Sequence, residues 1–332
     1  GSSVLAGTLT ICSSIALMLV VNVPLARASK KCLQSSSVML GYSAVEEFGD
    51  TNSVLIGVEQ LFPEGMVDLI NLKAMSSTMI EECILLAGSL ACQAGSILKP
   101  TFYKILKGKT EMLYPVESYI YEDGLGLSGW IENKRVLLGT RELMENHSIE
   151  GIPSESKERD YAKGNLVIYL SISGVVSALF IVRAKASSNI SKWLKELEYQ
   201  RTTVVIRSVD AFISLNFLSK LFGVSQETLK LLQFRDFKEY DKQTSYTPKI
   251  SSSMICSGHF PSLAMLICKA KNIQLLSFVG ITLQLASAIL GVVISLIMVL
   301  LGSFSQITAS VVLCYNLVWL AVTLIAQQIK RV

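Results

Sequence analysis

The stretch Val54-Leu55-Ile56-Gly57-Val58-Glu59-Gln60-Leu61-Phe62-Pro63-Glu64-Gly65 raises the sharpest chemical expectation in the chain. Val54 to Ile56 is a short apolar, partly β-branched run, the pattern of a buried strand. It stops at Gly57, and Pro63 and Gly65 close a turn. In parallel α/β folds the loop at the C-terminal end of a strand is where reacting groups stand. A nucleophile is therefore sought at position 57, where glycine offers no side chain. Glu59 and Glu64 are the nearest carboxylates, and both read as solvated loop acids unless a shift of register brings one forward. The G-x-G of Gly124-Leu125-Gly126 is a weak nucleotide signal and reads first as a pair of turn glycines. Seven cysteines are scattered without a C-x-x-C pair, the usage of small buried hydrophobes in a reducing compartment. Of these, Cys12 and Cys314 would hold a soft metal only if they faced each other. His147 and His259 are the only histidines, too few for a histidine-rich metal site.

The elements that must position these residues are partly membrane elements. Of 332 residues, 51% are hydrophobic and 17% charged, and the mean hydropathy is +0.48. Soluble domains carry roughly 25% charged residues, so the balance points to a bilayer. The net charge of +4 is too small to suggest nucleic acid. Val4 to Ala26 is free of charge and long enough to cross ~30 Å of hydrocarbon. Pro24 is expected to break this helix, and Arg27, Lys30 and Lys31 follow it. Leu275–Leu301 and Ile307–Ile325 are two further charge-free spans, joined by a tight turn at Gly302–Gln306. Lys269 and Lys271 precede the pair, and Lys330 and Arg331 follow it. The positive-inside rule then places the basic ends and the long middle segment in the cytoplasm. Asn22, Gln284, Tyr315 and Asn316 are the polar groups of the spans, suited to hydrogen bonds between helices. The start Gly-Ser-Ser, without Met, reads as a truncated or processed fragment or a cloning scar.

Between the spans the pattern is that of a soluble α/β region. Val38–Phe48 reads as a helix or helix and loop, and Met66–Ala94 has helical spacing. Tyr114–Gly139 reads as strands turning at Asp123-Gly124 and Glu132-Asn133. Glu150–Lys163 reads as a polar loop, and Leu166–Val182 as two strands joined at Ser173-Gly174. Ile190–Tyr199 reads as an amphipathic helix, Thr203–Ile206 as a buried strand, and Phe212–Leu232 as mostly helical. Met254–Cys256 is a short strand candidate. Val54–Ile56, Val204–Ile206 and Met254–Cys256 are expected to share one Rossmann-like sheet, because strands alternating with helices build parallel sheets.

One span, a large insert and a closing hairpin resemble the C-terminal half of a P-type ATPase of the heavy-metal-transporting branch. That family's D-K-T-G-T-L-T-x-G matches Gly57–Gly65 in length and in its last glycine, with Gly57 at the phosphorylated aspartate, Val58 at the lysine and Glu59 at the threonine. Its T-G-D reads Ser208-Val209-Asp210, which keeps only Asp210. Its G-D-G-x-N-D-x-P-A-L reads Cys256 to Met265, keeping Gly258 but carrying Ser257 and Pro261 at the two aspartates. Its S-x-H-P reads Ile97-Leu98-Lys99-Pro100, its G-x-G is matched by Gly124 and Gly126, and a further glycine by Gly139. Its membrane C-P-C reads Val23-Pro24-Leu25, without either thiolate.

The resemblance implies α-helical transmembrane spans plus a cytoplasmic, haloacid-dehalogenase-like Rossmann domain holding an inserted α+β nucleotide-binding-like domain. The implied boundaries are 1–29 for a fourth-core-helix-like span, 30–65 and 181–272 for the two parts of the phosphorylation-like domain, 66–180 for the nucleotide-binding-like domain, and 273–332 for the hairpin. Acyl-phosphate chemistry needs a carboxylate nucleophile and Mg²⁺ on hard oxygen ligands. Gly57, Ser257 and Pro261 supply neither. The expected protein is thus a catalytically degenerate relative, regulatory, sensing or partner-binding, in the plasma membrane. The alternative is a divergent ATP-driven cation transporter, and only under it would ATP and Mg²⁺ be cofactors. Expected partners are the lipid bilayer and another membrane transporter or an upstream actuator-containing part, and no nucleic acid. Lys99, Gly124, Gly126 and Gly139 are the nucleotide-binding candidates. Lys99 reads first as a solvated lysine, since it lacks the ring that would stack on adenine, and Asp210 reads first as a loop or capping acid.

Overall fold

The computed structural model describes residues 2–13, 16–245 and 253–328; Lys330 and Arg331, expected at the basic end of the last span, lie outside them. In chain order, helix α1 spans Ser2–Cys12 and α2 Leu17–Leu33, followed by strand β1 (Val38–Met39) and α3 (Ser43–Phe48). Strand β2 (Ser53–Gly57) leads to β3 (Val67–Ala74), α4 (Ile80–Ala94), α5 (Lys99–Ile105), β4 (Ser118–Glu122), β5 (Gly126–Ile131) and β6 (Lys134–Gly139). Helices α6 (Arg141–Asn146) and α7 (Glu155–Ala162) precede β7 (Leu166–Ile172) and β8 (Val175–Ala184). Then come α8 (Ser188–Tyr199), β9 (Thr203–Arg207), α9 (Leu215–Phe222), β10 (Leu229–Leu231), α10 (Phe237–Ser245), β11 (Met254–Ile255), α11 (Phe260–Leu300) and α12 (Ala309–Ala326). The chain divides into two compact units, residues 1–51 with 250–332, and residues 52–249.

In the second unit β9 is the centre of a three-stranded parallel sheet. Its Val204 and Ile206 are buried, and it pairs with β2 (Val54↔Val204, Ile56↔Ile206, Gly57↔Arg207) and with β10 on its other side. Helices α8 and α9 pack on this sheet. A parallel pair cannot be joined by a hairpin, so the chain between β2 and β9 must cross over. Here that crossover holds a whole six-stranded antiparallel sheet, ordered β3-β8-β7-β6-β5-β4. Its hairpins turn as expected: Glu132 and Asn133 (φ 48° and 60°), and Ser173 and Gly174 (51° and 89°), form two-residue turns with positive φ at both positions. Helix α4 covers β5 and β6 with Cys83, Leu86, Leu90 and Ala91 and stops at Gly95, whose φ of 80° suits glycine.

Four expectations are corrected here. Met66–Ala94 is not one helical stretch: β3 takes its first part, because β8 offers a ladder to an alternating segment whose own propensity is indifferent. Glu150–Lys163 contains α7, a helix with almost no apolar face. It is held from outside, Tyr169 Oη and Arg141 Nε each donating to Glu158 Oε2 at 2.6 and 2.8 Å. Phe212–Leu232 is helical only over α9, which Gly223 ends at φ 68°, and β10 follows. Val38–Phe48 begins with β1 before α3.

The first unit holds the apolar helices. Those at Val4–Gln34, Phe260–Leu300 and Ala309–Ala326 are long and apolar enough to cross a membrane. The hairpin helix starts at Phe260 rather than Leu275. At 1.5 Å per residue its 41 residues exceed ~30 Å of hydrocarbon about twofold, so the charged stretch with Lys269 and Lys271 is a helical extension of the span. Pro24 does not break α2; the helix runs through it to Leu33. Inside the bundle Gln284 Nε2 donates to Thr323 Oγ1 at 2.7 Å, and Tyr315 Oη to the Ser287 carbonyl at 2.6 Å. Strand β11 does not join β2 and β9 but pairs antiparallel with β1. The reason is local. β1 follows α2, β11 leads into α11, and α2 packs against α11, so two very short strands meet where their helices bring them.

Candidate functional site

The C-terminal edge of the parallel sheet gathers Gly57, Glu59, Arg207, Ser208 and Asp210. Gly57 leaves β2 with φ −77° and ψ 150°, open to any residue. Its missing side chain is replaced in space: a Cβ built there would fall inside the van der Waals shell of the Glu59 carboxylate. Glu59, two residues on, folds back over the strand end and stays exposed.

Asp210 is 4% exposed. Ser96 Oγ donates to its Oδ1, and Ile97 N and Ser208 Oγ donate to Oδ2 at 3.1 and 3.4 Å. Its own N–H donates to Ser208 Oγ at 3.1 Å. Ser96 and Ile97 belong to the corner between α4 and α5, so this carboxylate ties the six-stranded sheet's helices to the parallel sheet. Burial pushes its carboxyl up from 3.8 to about 6; the Glu59 charge adds to this, and the three donors oppose it.

A second contact closes the same edge. Phe234 N donates to Asp123 Oδ1 at 2.8 Å, and the rings of Tyr121, Phe234 and Phe237 lie 5.4–6.0 Å apart. Arg207 stacks on Phe237 at 4.6 Å and on Tyr240 at 5.4 Å, with Asp241 at 3.4 Å from its Nε. An aromatic cluster and a hydrogen-bonded carboxylate thus fill the approach to the strand ends.

The nucleotide candidates are spread around the six-stranded sheet. Gly126 and Gly139 are cross-strand partners. A Cβ at Gly139 would strike the Leu125 carbonyl and stand 2.7 Å from Leu143 Cδ2. Leu143, wholly buried, lets α6 lie directly on the pair, so close packing alone demands both glycines. Gly124 has open space around it and φ 73°, a turn glycine. Lys99 is exposed at the start of α5, its Nζ 5.5 Å from the Tyr103 ring centre. No pattern in the sequence marks the Arg135–His147–Glu122 chain (2.8 and 2.6 Å) on this sheet, since its members lie on three separate elements.

Ser257, Gly258 and Pro261 belong to the first unit, the first two in the loop before α11 and Pro261 inside its first turn. Gly258 takes φ 81°, Ser257 and Ser262 hydroxyls bond at 2.9 Å, and Pro261 sits in the helix's first turn, where a missing N–H is harmless. Near Pro24, the carbonyl its ring leaves unbonded, that of Val20, receives Gln327 Nε2 at 2.7 Å. Cys12 donates to the Ala288 carbonyl at 3.5 Å, while Cys314 is exposed. Among the described residues no three His, Cys, Asp or Glu side chains are grouped to hold a metal ion. At the sheet edge Asp210 has its oxygens committed to three donors, so the donor set there does not fit Mg²⁺.

A parallel sheet interrupted by an antiparallel domain, in one chain with three helices long and apolar enough to cross a membrane, describes an integral membrane protein with an α/β region. No protein-family model matches the sequence. A copper-exporting P-type ATPase of Legionella pneumophila is 21% identical over 204 residues, covering 61% of this chain and 27% of the relative's length. Among solved structures, a zinc-transporting PIB-type ATPase aligns over 91% of this chain and 55% of its own, at 15% identity and TM-score 0.37. The catalytic domain of the CPx-ATPase CopB-B aligns over 65% and 77%, at 15% identity and TM-score 0.38. At these scores the structural likeness carries no argument, and the fold rests on the elements described above. The chain resembles the C-terminal half of a heavy-metal-transporting P-type ATPase.

Proposed function

We propose that this chain is a catalytically degenerate P-type-ATPase-like membrane protein that forms no phosphoenzyme and serves a regulatory, sensing or partner-binding role. The observation that carries the reading is at the sheet edge. The nucleophile position is a glycine overlain by the Glu59 carboxylate, and the one retained acid, Asp210, is consumed by structural hydrogen bonds. Two adjacent negative groups also oppose the approach of a phosphate. Ser257 and Pro261 remove the remaining anionic ligands that Mg²⁺ would need, and electrostatic help of that kind typically contributes several kcal/mol.

The same Glu59 supports a second reading, a divergent ATP-driven cation transporter in which this exposed carboxylate replaces the side chain lost at position 57. One experiment separates the two. Purified full-length protein is incubated with γ-labelled ATP and Mg²⁺, and acid-stable, hydroxylamine-sensitive label is counted. The expected result is no label on the unmutated protein and none on Gly57→Asp. Label that disappears in Glu59→Gln would overturn the first reading and establish the second. Plasma-membrane location and a cytoplasmic middle segment are part of the proposal; a cysteine placed at Ser303 should be labelled from outside. The partner proposed is another membrane transporter or the upstream actuator-containing part, read out by co-purification.

A further inference from the structure

Of the nine residues of α10 only Phe237 is buried, and Tyr240 is half-buried. Polar side chains along its outer face bond within the helix. Gln243 Nε2 donates to Glu239 Oε1 at 2.7 Å, Thr244 Oγ1 to the Tyr240 carbonyl at 2.9 Å, and Ser245 Oγ to the Lys242 carbonyl at 2.9 Å. An isolated helix this short is marginal in water. What Phe237 and Tyr240 touch therefore keeps α10 in place.

Both rings meet one cation. Arg207, at the end of β9 and paired in register with Gly57, stacks on Phe237 and on Tyr240, and the Phe237 ring lies within 16° of parallel to that of Tyr121 on β4. The Arg207 Nε is buried and has no hydrogen-bond acceptor among the described residues; the acid beside it, Asp241, is exposed and also belongs to α10. A guanidinium drawn out of water favours ring faces and an anion. Here α10 supplies both, so the chain satisfies its own cation. Just before the helix the Phe234 N–H bond to Asp123 pins the backbone, which lets α10 lift without pulling that turn away. Segments with few buried contacts and a largely exposed backbone are the ones that open locally.

We propose that α10 is a strap making an autoinhibitory contact: seated, it covers Arg207 at the strand ends, and released by local opening it presents that cation without unfolding either sheet. The strap governs access to the strand ends and stands whether or not a phosphoenzyme forms there. The test follows the reaction of arginines with phenylglyoxal in the full chain in detergent, mapped by mass spectrometry after digestion. Arg141 is the internal standard: its side chain is 24% exposed against 25% for Arg207, and it too lies between an acid and a ring. In Phe237→Ala, which loses two ring contacts and a cation–ring contact, Arg207 should react roughly tenfold or more faster than in wild type, and Arg141 should keep its rate. Tyr240→Ala, which leaves the buried Phe237 in place, should speed Arg207 by roughly threefold. An unchanged Arg207 rate in Phe237→Ala would overturn the proposal. A parallel rise at Arg141 would overturn it too, since Phe237 would then hold the whole unit together rather than a strap. Should Phe237→Ala not fold, Tyr240→Ala decides alone, and a wild-type rate at Arg207 in that variant sinks the strap.

Discussion

The sheet edge at Gly57 and the helix pair at Pro24 are the two places where the family resemblance expects a reactive or ligand-binding group, and at each another side chain takes up what the residue there leaves open, space at Gly57 and a carbonyl at Pro24. At Gly57 the filler is Glu59, exposed and charged, on the loop that follows the strand. At Pro24 it is Gln327, 1% exposed, whose amide donates to the Val20 carbonyl. The environments explain the contrast. A side chain lost at a wet strand end leaves no unsatisfied group, because water covers it. A carbonyl freed by proline inside an apolar bundle has no water and must find a donor in the protein. The Gly57 filler is therefore dispensable and the Pro24 filler is structural.

The largest effect should come from the one buried anchor at the sheet edge. Asp210→Ala leaves Ser96 Oγ and the Ile97 N–H buried without their acceptor, and should cost about 2–4 kcal/mol at pH 5. With a folded pKa of about 6 against 3.8, the folded state keeps a proton that the unfolded state has released between these values. Stability from this group is thus full below about pH 4 and is lost as pH rises towards 6, on the order of 3 kcal/mol in all. Asp210→Asn should flatten that slope. Thermal unfolding of the full chain across pH 4.5–7.5 checks both, and stability of the wild type that rises over this range because of Asp210 would refute the assignment.

Next is Gly280→Ala. The new methyl would strike Val20 and stand 2.8 Å from Gln327 Nε2, between packed helices that cannot separate cheaply, at about 1–3 kcal/mol. Gln327→Leu should cost about 1–2 kcal/mol, and the cost should shrink when combined with Pro24→Ala, which restores an N–H for the Val20 carbonyl. A double-mutant cycle on thermal unfolding measures this; additive losses would show that Gln327 does not serve that carbonyl. The smallest effect is expected at Gly57→Ala. The group in its way is the end of an exposed, flexible glutamate that can swing into water, so stability should change by under about 0.5 kcal/mol. A loss comparable to that of Gly280→Ala would erase the distinction between the two regions.

The sequence determined the apolar spans, because a helix in hydrocarbon needs an unbroken run of charge-free residues and such a run is visible without neighbours. It also determined the hairpins at Glu132-Asn133 and Ser173-Gly174, where turn chemistry is local, and the buried strands β2 and β9, whose β-branched residues alternate with the pleat. It determined that position 57 holds no nucleophile. Tertiary structure decided the rest. Helix α7 has no apolar period to read, and its place comes from Tyr169 and Arg141 across space. β3 and β11 are strands because of what lies beside them, β8 in one case and β1 in the other. Asp210 looked like a loop acid, and only the fold brings Ser96 and Ile97, more than a hundred residues away, to its carboxylate. Pro24 read as a helix break, and only the packing of α2, α11 and the end of α12 supplies Gln327 to the carbonyl it frees. Local chemistry is written in local sequence; the partner of a buried polar group is chosen by the fold, since any residue that arrives with a donor will serve.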